Sequence, residues 1–323
     1  MNPTWQQALS NTVTSYDELC SLLNIFAEQS ELILSAQKSF PLRVPREFVS
    51  RMEKGNPNDP LLLQILPQSI EVQKVAGFSP DPLLEMQKNP VPGLLHKYPN
   101  RVLLTLTGVC AVNCRYCFRR HFPYEDNVPS RANWQNALDY IAKNNAIDEV
   151  ILSGGDPLVL KDNLIAEFVS QLEKISHVQR LRIHTRLPIV IPQRVTNEWI
   201  AWMQTTRFQT VVVLHCNHAN EIDEFVFQAI KKLRAVTTVL NQSVLLKNVN
   251  DNADVLINLS KRLFEAGALP YYLHLLDKVD GAAHFDMSEE TADQLIREIK
   301  KSLPGFLVPK LAKEVPGLLH KLF

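Results

Sequence analysis

From Arg101 onward, short β-branched runs alternate with amphipathic helical segments, and this alternation constrains the fold more than any other feature. The strand candidates are Val102–Thr107, Glu149–Ser153, Leu181–Thr185, Thr210–Leu214, Gln242–Leu246 and Tyr271–Leu275. In segments that follow the strands, apolar residues recur at helical spacing, as in Ile222, Phe225, Val226, Ala229, Ile230 and Leu233, and in Ala292, Leu295, Ile296 and Ile299. Six strand–helix units in series predict a parallel sheet with crossover helices, arranged as an open or closed barrel or as a doubly wound sheet.

Polar residues that directly follow the predicted strands favour the barrel. They are Cys110, Gly154-Gly155-Asp156, Arg186, His215, Asn248 and Asp277. In a parallel barrel these positions share one rim, where catalytic groups lie, whereas in a doubly wound sheet they converge less. The sequence therefore predicts an α/β fold built on a partial, TIM-like (β/α)6 barrel.

The first part of the chain differs from this pattern. Its helical stretches are broken by Pro41, Pro45, Pro57, Pro60 and Pro67, and the run Asn56-Pro57-Asn58-Asp59-Pro60 is typical of a turn. We interpret residues 1–95 as an N-terminal helical cap and linker. Residues 96–323 then form the barrel and a C-terminal segment.

Charge and composition exclude several classes of function. With 34 basic and 34 acidic side chains, the sequence predicts binding neither to nucleic acid nor to an acidic membrane surface. No apolar run approaches the ~18 residues of a membrane span, and residues 1–14 lack the pattern of a signal peptide. An odd number of cysteines argues against a disulfide framework. We therefore expect a cytoplasmic protein.

Three cysteines, Cys110, Cys114 and Cys117, lie close together with the spacing C-x3-C-x2-C. Three thiolates on one loop can bind three irons of a cubane cluster and leave the fourth iron open for substrate chemistry. Zinc is the alternative, with His121 nearby as a fourth ligand. Zinc sites usually pair two cysteines with a distant second pair, however, and the sequence has no such pair.

This loop, with an aromatic residue after the last cysteine, resembles that of the radical S-adenosylmethionine enzymes. Their fold is a full or partial (β/α) barrel, in agreement with the six units counted above. The resemblance narrows to the lysine 2,3-aminomutases through several segments, which are Pro92–Leu104, Cys117-Phe118-Arg119-Arg120, Leu187–Arg194 and Pro270-Tyr271-Tyr272-Leu273. It covers roughly residues 40 to 323.

The resemblance implies three cofactors and the residues that hold them. Members of this family move the amino group of lysine from carbon 2 to carbon 3 with a 4Fe-4S cluster, S-adenosylmethionine and pyridoxal phosphate. The cluster falls on the three cysteines, and the S-adenosylmethionine on Gly154, Gly155 and Asp156. Arg186 is a second candidate for S-adenosylmethionine, with a structural salt bridge as its alternative.

Alignment with the family places Lys321 on the lysine that holds pyridoxal phosphate as a Schiff base. The alternative is a solvated tail residue, and Lys310 and Lys313 are further candidates. Arg101 falls near the cofactor phosphate, where an arginine can bind in bidentate fashion.

The substrate implied by the resemblance is L-lysine. Arg119 matches the family arginine that pairs with the substrate carboxylate. Asp277 and Glu314 match the two acids that bind the side-chain ammonium, and a carboxylate at both positions selects a cation.

The region around Lys321 resembles one branch of the family. Gly317 stands where catabolic members have a run of glycines, and the sequence ends two residues after Lys321. Both features resemble the shorter branch, which makes (R)-β-lysine for attachment to elongation factor P by a ligase related to lysyl-tRNA synthetase. An electron donor must also reduce the cluster. The alternatives are a stand-alone catabolic or osmolyte-forming lysine aminomutase, and a non-catalytic zinc or iron–sulfur binding module.

One short repeat has no explanation at the level of sequence. Residues 91–97, Val-Pro-Gly-Leu-Leu-His-Lys, recur without change as residues 315–321. The spacing of 224 residues and the absence of flanking similarity exclude a repeat architecture.

Overall fold

A computed structural model describes residues 3–28, 30–127 and 134–323. Within them, eight strands form one sheet in chain order: β1 Leu94–Tyr98, β2 Arg101–Thr107, β3 Glu149–Gly154, β4 Arg180–Thr185, β5 Gln209–His215, β6 Thr238–Val244, β7 Leu269–His274 and β8 Lys310–Ala312. Strands β2 to β8 are parallel, and β1 runs antiparallel to β2. The predicted six-unit partial barrel is confirmed as β2–β7, with one short strand added at each edge.

Helices cross from each parallel strand to the next. The bounds in this region are α6 Tyr124–Asn127, α7 Trp134–Lys143, α8 Asp162–Leu172, α9 Leu187–Val190, α10 Asn197–Thr205, α11 Glu224–Arg234, α12 Ala253–Ala266 and α13 Glu289–Ser302. In α13, Ser288 accepts a hydrogen bond from the amide of Thr291 at 3.1 Å, and the predicted apolar face is buried. In α11, Phe225 is instead 64% exposed and Ile222 precedes the helix, so the predicted face there was too wide.

The fifth predicted strand, Gln242–Leu246, was placed too late in the chain. The strand β6 begins at Thr238, and Leu245 and Leu246 are buried beyond its end. The apolar run suggested a strand, whereas β6 itself carries buried polar side chains. Asn241 and Ser243 both donate to the carbonyl of Cys216, at 3.0 and 2.7 Å, which satisfies them inside the sheet.

Five short helices precede the sheet within the described residues: α1 Trp5–Ser10, α2 Tyr16–Leu23, α3 Glu31–Ser39, α4 Arg46–Val49 and α5 Pro60–Leu63. Their buried side chains, such as Leu19 and Phe48, belong to the same apolar core as Leu104 and Val150 of the sheet. The division of the chain between residues 95 and 96 stays a prediction, and β1 lies across that position. None of the described helices has the length and apolar character that crossing a bilayer requires.

Candidate active site

A cavity of about 780 Å3 lies along the inner side of the curved sheet. All the predicted site residues line it: Arg101, Cys110, Cys114, Cys117, Arg119, Gly154, Gly155, Asp156, Arg186, Asp277, Glu314 and Lys321. Most come from the carboxyl ends of strands, as the barrel predicts, but Arg101 begins β2 and so lies toward the opposite end. Asn248 does not line the cavity, and its amide donates to Asp251 at 2.9 Å instead.

The loop with the three cysteines is held in place by its own arginines. Arg115 and Arg120 both donate to the buried carboxylate of Glu71, with Nη2 distances of 2.5 and 2.8 Å. Glu71 lies in a 3-10 turn, Ser69–Val72, well before the barrel. The thiols are thereby fixed against the cavity wall.

The thiols themselves are in a low-polarity setting. Burial raises the pKa of Cys110 well above its usual value and that of Cys117 to about 11. A metal must therefore displace the thiol protons when it binds. Among the described residues, no three His, Cys, Asp or Glu side chains converge on one point to hold a single ion. A cubane cluster does not need such convergence, because each thiolate binds a different iron.

Two glycines at the end of β3, Gly154 and Gly155, allow this strand to approach the chain just before Cys110. A Cβ at Gly154 would lie 2.7 Å from the carbonyl oxygen of Thr107, and φ there is +113°. A Cβ at Gly155 would lie 2.4 Å from the carbonyl oxygen of Val109. Only glycine permits this contact between the end of β3 and the loop that begins at Cys110.

Asp156 joins the ends of two neighbouring strands. Its buried carboxylate accepts hydrogen bonds from the backbone amides of Arg186 and Leu187, at 2.8 and 3.0 Å, and from the hydroxyl of Thr185. Burial raises the pKa of this carboxyl. Asp156 thus fixes the rim geometry, and its oxygens are already used within the protein.

Arg186 connects the cysteine loop to a buried polar network. Its Nη1 donates to the sulfur of Cys114 at 2.8 Å and to the Tyr116 hydroxyl at 2.7 Å. Its Nη2 donates to Gln64 at 2.6 Å and to Glu221 at 3.0 Å. The structural salt bridge considered for Arg186 is therefore present, and it holds the guanidinium beside a predicted cluster ligand.

Arg119 is a buried cavity residue rather than a surface arginine of the loop. Its Nε and Nη2 donate to the two oxygens of Glu85, at 2.6 and 2.9 Å. Lys97 lies 2.9 Å from the same carboxylate. Neither Glu85 nor Lys97 is among the site residues predicted from the sequence.

Two further acidic residues, Asp277 and Glu314, line the same cavity. Asp277 has neither a hydrogen bond nor an ion pair to its carboxylate within the described residues, and burial raises its pKa to about 7, although Lys321 opposes the shift. Glu314 accepts from the Tyr98 hydroxyl at 2.6 Å and pairs with the Lys321 ammonium. Burial would raise the pKa of Glu314, but Lys321 and Tyr98 hold it below its usual value.

Lys321 lies inside the cavity rather than in solvent. Its side chain is 23% exposed and its Nζ lies 5.8 Å from the centre of the Tyr272 ring. The two other candidates do not line the cavity: Lys310 is exposed, and Lys313 pairs with Glu289 on the surface.

The two copies of the short repeat meet at this site. Each forms a turn at its Pro-Gly pair, with φ of +81° at Gly93 and +88° at Gly317. The last residues of the copies, Lys97 and Lys321, both line the cavity and each pairs with a glutamate. The repeat is the sequence feature from which a place for Lys97 in the site could have been predicted.

Arg101 and the histidines His184, His215 and His274 also line the cavity. The Arg101 guanidinium lies 3.9 Å from the Tyr98 ring centre and donates to Asn100 at 3.0 Å. Burial lowers the pKa of His184, His215 and His274, the last two to about 3, so all three are neutral near neutral pH. Of these, His184 and His274 were missed, although they alternate inward on their strands.

Comparison with known proteins identifies the superfamily first. The model of the Radical SAM superfamily matches residues 104–259. The L-lysine 2,3-aminomutase of Escherichia coli (strain K12) is 56% identical over 315 residues, which cover 97% of this chain and 92% of that protein. The L-lysine 2,3-aminomutase of Haemophilus influenzae is 53% identical and covers 98% and 94%. That of Clostridium subterminale is 33% identical and covers 97% and 76%.

The barrel, the cysteine-lined cavity and these matches define a radical S-adenosylmethionine enzyme. Within that class the chain belongs to the lysine 2,3-aminomutase family, whose members are isomerases. The family uses a 4Fe-4S cluster, S-adenosylmethionine and pyridoxal phosphate. The donor set fits these groups, because three thiols, two lysines and several arginines face the same cavity.

Proposed function

We propose that this protein converts L-lysine to (R)-β-lysine, and that the product serves the modification of elongation factor P. The observation that carries the proposal is the charge pattern of the cavity. It brings Asp277, a carboxylate without an ion pair among the described residues, and a half-buried lysine, Lys321, to the same space as the three cysteines. An amino acid with a side-chain ammonium is the substrate that such a cavity selects.

The two ends of L-lysine would bind to different walls. Arg119 takes the α-carboxylate through its Nη1, whose one hydrogen bond to a described residue is long, 3.4 Å to Ser153. Asp277 and Glu314 take the ammonium. Glu314 pairs with Lys321 in this structure, and it would be available to the substrate where Lys321 holds pyridoxal phosphate instead.

The cofactors would be held by residues that already face each other. The three cysteines would hold the cluster, which would supply the electron for radical formation from S-adenosylmethionine. Gly154, Gly155 and Asp156 form the adjoining wall, and Arg186 lies beside Cys114. Bound together, the three cofactors supply the radical and amino-group chemistry, while the protein orients lysine and excludes water.

The link to elongation factor P rests on the region before Lys321. One glycine, Gly317, replaces the glycine run of catabolic family members, and it takes a left-handed backbone conformation at the Pro-Gly turn. In this proposal the product is transferred by a ligase related to lysyl-tRNA synthetase, and a cytoplasmic electron donor reduces the cluster.

The test uses reduced, cluster-loaded protein with L-lysine, S-adenosylmethionine and pyridoxal phosphate. Chiral chromatography should show (R)-β-lysine, and the Cys117→Ala variant should form none. The product is then offered with the ligase to elongation factor P, and the mass of the factor is measured. Absence of β-lysine, or mainly the S enantiomer, would overturn the proposed reaction. (R)-β-lysine that does not reach elongation factor P would overturn its role there and support the catabolic alternative.

A further inference from the structure

Glu85 lies in the segment ahead of the barrel, yet it lines the same cavity as Asp277. We infer that Glu85 is a positioning residue that holds Arg119 and Lys97 as one binding unit for the substrate carboxylate. This inference rests on the proposed function, because it presumes that Arg119 meets that carboxylate. It assigns a role in the site to a segment outside the barrel.

The contacts define which donors remain free. Glu85 occupies Nε and Nη2 of Arg119, at 2.6 and 2.9 Å. The Nη1 group of Arg119 therefore points elsewhere, and its contact in the structure is Ser153 at 3.4 Å. Lys97 uses one of its three N–H donors on Glu85, at 2.9 Å, which leaves two. A carboxylate can thus bridge Arg119 Nη1 and Lys97 Nζ.

The charge of the unit suits one carboxylate. Two cations and one anion leave one net positive charge on the wall formed by Arg119, Lys97 and Glu85. Although burial opposes ionisation, Arg119 and Lys97 hold the pKa of Glu85 at about 2, so it stays ionised at working pH. A substrate carboxylate would neutralise the remaining charge in a buried setting, where an unpaired charge is costly.

The backbone that presents Glu85 is itself constrained. Leu84 directly before it has φ of +50°, in the left-handed region that leucine rarely adopts. The Glu85 amide donates to Asp81 at 3.1 Å, at the start of the 3-10 turn Glu85–Lys88. The chain accepts this conformation where it turns the carboxylate onto the cavity wall.

The test measures kcat/KM for L-lysine and for L-lysinamide, which lacks the carboxylate charge. The ratio of the two values is the preference for lysine. Glu85→Gln keeps the side-chain size and removes the charge, and should lower the preference for lysine about 10-fold or more, mainly through KM. Glu85→Asp should recover part of the preference. A merely structural defect would reduce turnover of both substrates alike.

Two controls keep the outcomes distinct. Glu149→Gln removes a carboxylate that pairs with Arg182 in the same cavity, at 2.7 Å, and should leave the ratio unchanged. Arg119→Met should abolish the preference. If Arg119→Met abolishes the preference but Glu85→Gln keeps the wild-type ratio or raises it, the role of Glu85 is overturned while the substrate assignment stands. If Arg119→Met also keeps the ratio, both are overturned. Should Glu85→Gln fail to fold, Lys97→Met must lower the ratio, or the inference fails.

Discussion

Replacement of Glu71 by glutamine should loosen the loop that carries the three cysteines. One carboxylate, 1% exposed, serves two guanidinium groups: Arg115 is fully buried and Arg120 is 1% exposed in its side chain. Arg115 approaches Glu71 through Nε at 2.9 Å and through Nη2 at 2.5 Å. Burial already lowers the pKa of Arg115, which shows how costly its charge is without this partner.

Removal of one partner from a buried ion pair costs about 3–5 kcal/mol, because an uncompensated charge remains buried. Two guanidinium groups lose their anion here, so we expect the upper part of that range. A domain with a total stability of about 5–15 kcal/mol would lose a large fraction of it. The cysteine loop should suffer first, since Arg115 lies between two of its cysteines.

The assay is urea denaturation, which gives the free energy of unfolding, together with the iron content after reconstitution. Glu18→Gln is the matched control, because Glu18 pairs with Arg46 where both side chains are 40% exposed. Such a pair contributes about 0–1 kcal/mol. If Glu71→Gln loses no more stability than Glu18→Gln and binds full iron, the buried clamp does not hold the loop.

Three further predictions concern the cavity. Gly155→Ala should lower the iron content, because its Cβ would lie 2.4 Å from the carbonyl oxygen of Val109. Gly305→Ala should leave the iron content unchanged, because a Cβ there would have no atom within 4 Å. Equal iron content in both variants would contradict the close contact at Gly155. Burial raises the pKa of Asp277 to about 7, so its ionised fraction grows as the pH rises through 7 and KM for lysine should fall over the same range. Asp277→Asn should flatten this pH profile and raise KM about 10-fold or more. An unchanged profile would show that Asp277 does not bind the substrate. Lys321→Ala should abolish borohydride trapping of pyridoxal phosphate on the protein, while Lys313→Ala, outside the cavity, should keep it. Peptide mapping that finds the cofactor elsewhere would refute the assignment.

The local pattern of apolar and β-branched residues was sufficient to predict the central strands of the sheet. Strands β2 to β7 were found because each combines β-branched residues with a helix of the right period, and the cysteines because their spacing carries chemistry. The edge strands were missed for physical reasons: β8 is three residues long, and the second half of β1 consists of polar, half-buried residues, His96, Lys97 and Tyr98. The bounds of β6 were predicted too late in the chain because its buried positions hold polar side chains, which form hydrogen bonds to a neighbouring loop.

The partners of the site residues could not be predicted in the same way. Glu71 and Glu85 come from a segment without regular pattern, and their arginines lie 44 and 34 positions away along the chain. Glu221 and Gln64, which hold Arg186, are likewise distant in sequence. Such pairs are set by the packing of the N-terminal segment on the barrel, and no local spacing encodes it.

We expect the cysteine-lined cavity to perform radical chemistry at carbon 3 of lysine. The most direct measurement uses L-lysine deuterated at carbon 3, with reduced, cluster-loaded protein, S-adenosylmethionine and pyridoxal phosphate. Mass spectrometry should find deuterium in the adenosyl group recovered from S-adenosylmethionine, together with β-lysine as the product. Formation of β-lysine without any deuterium in that adenosyl group would contradict the account.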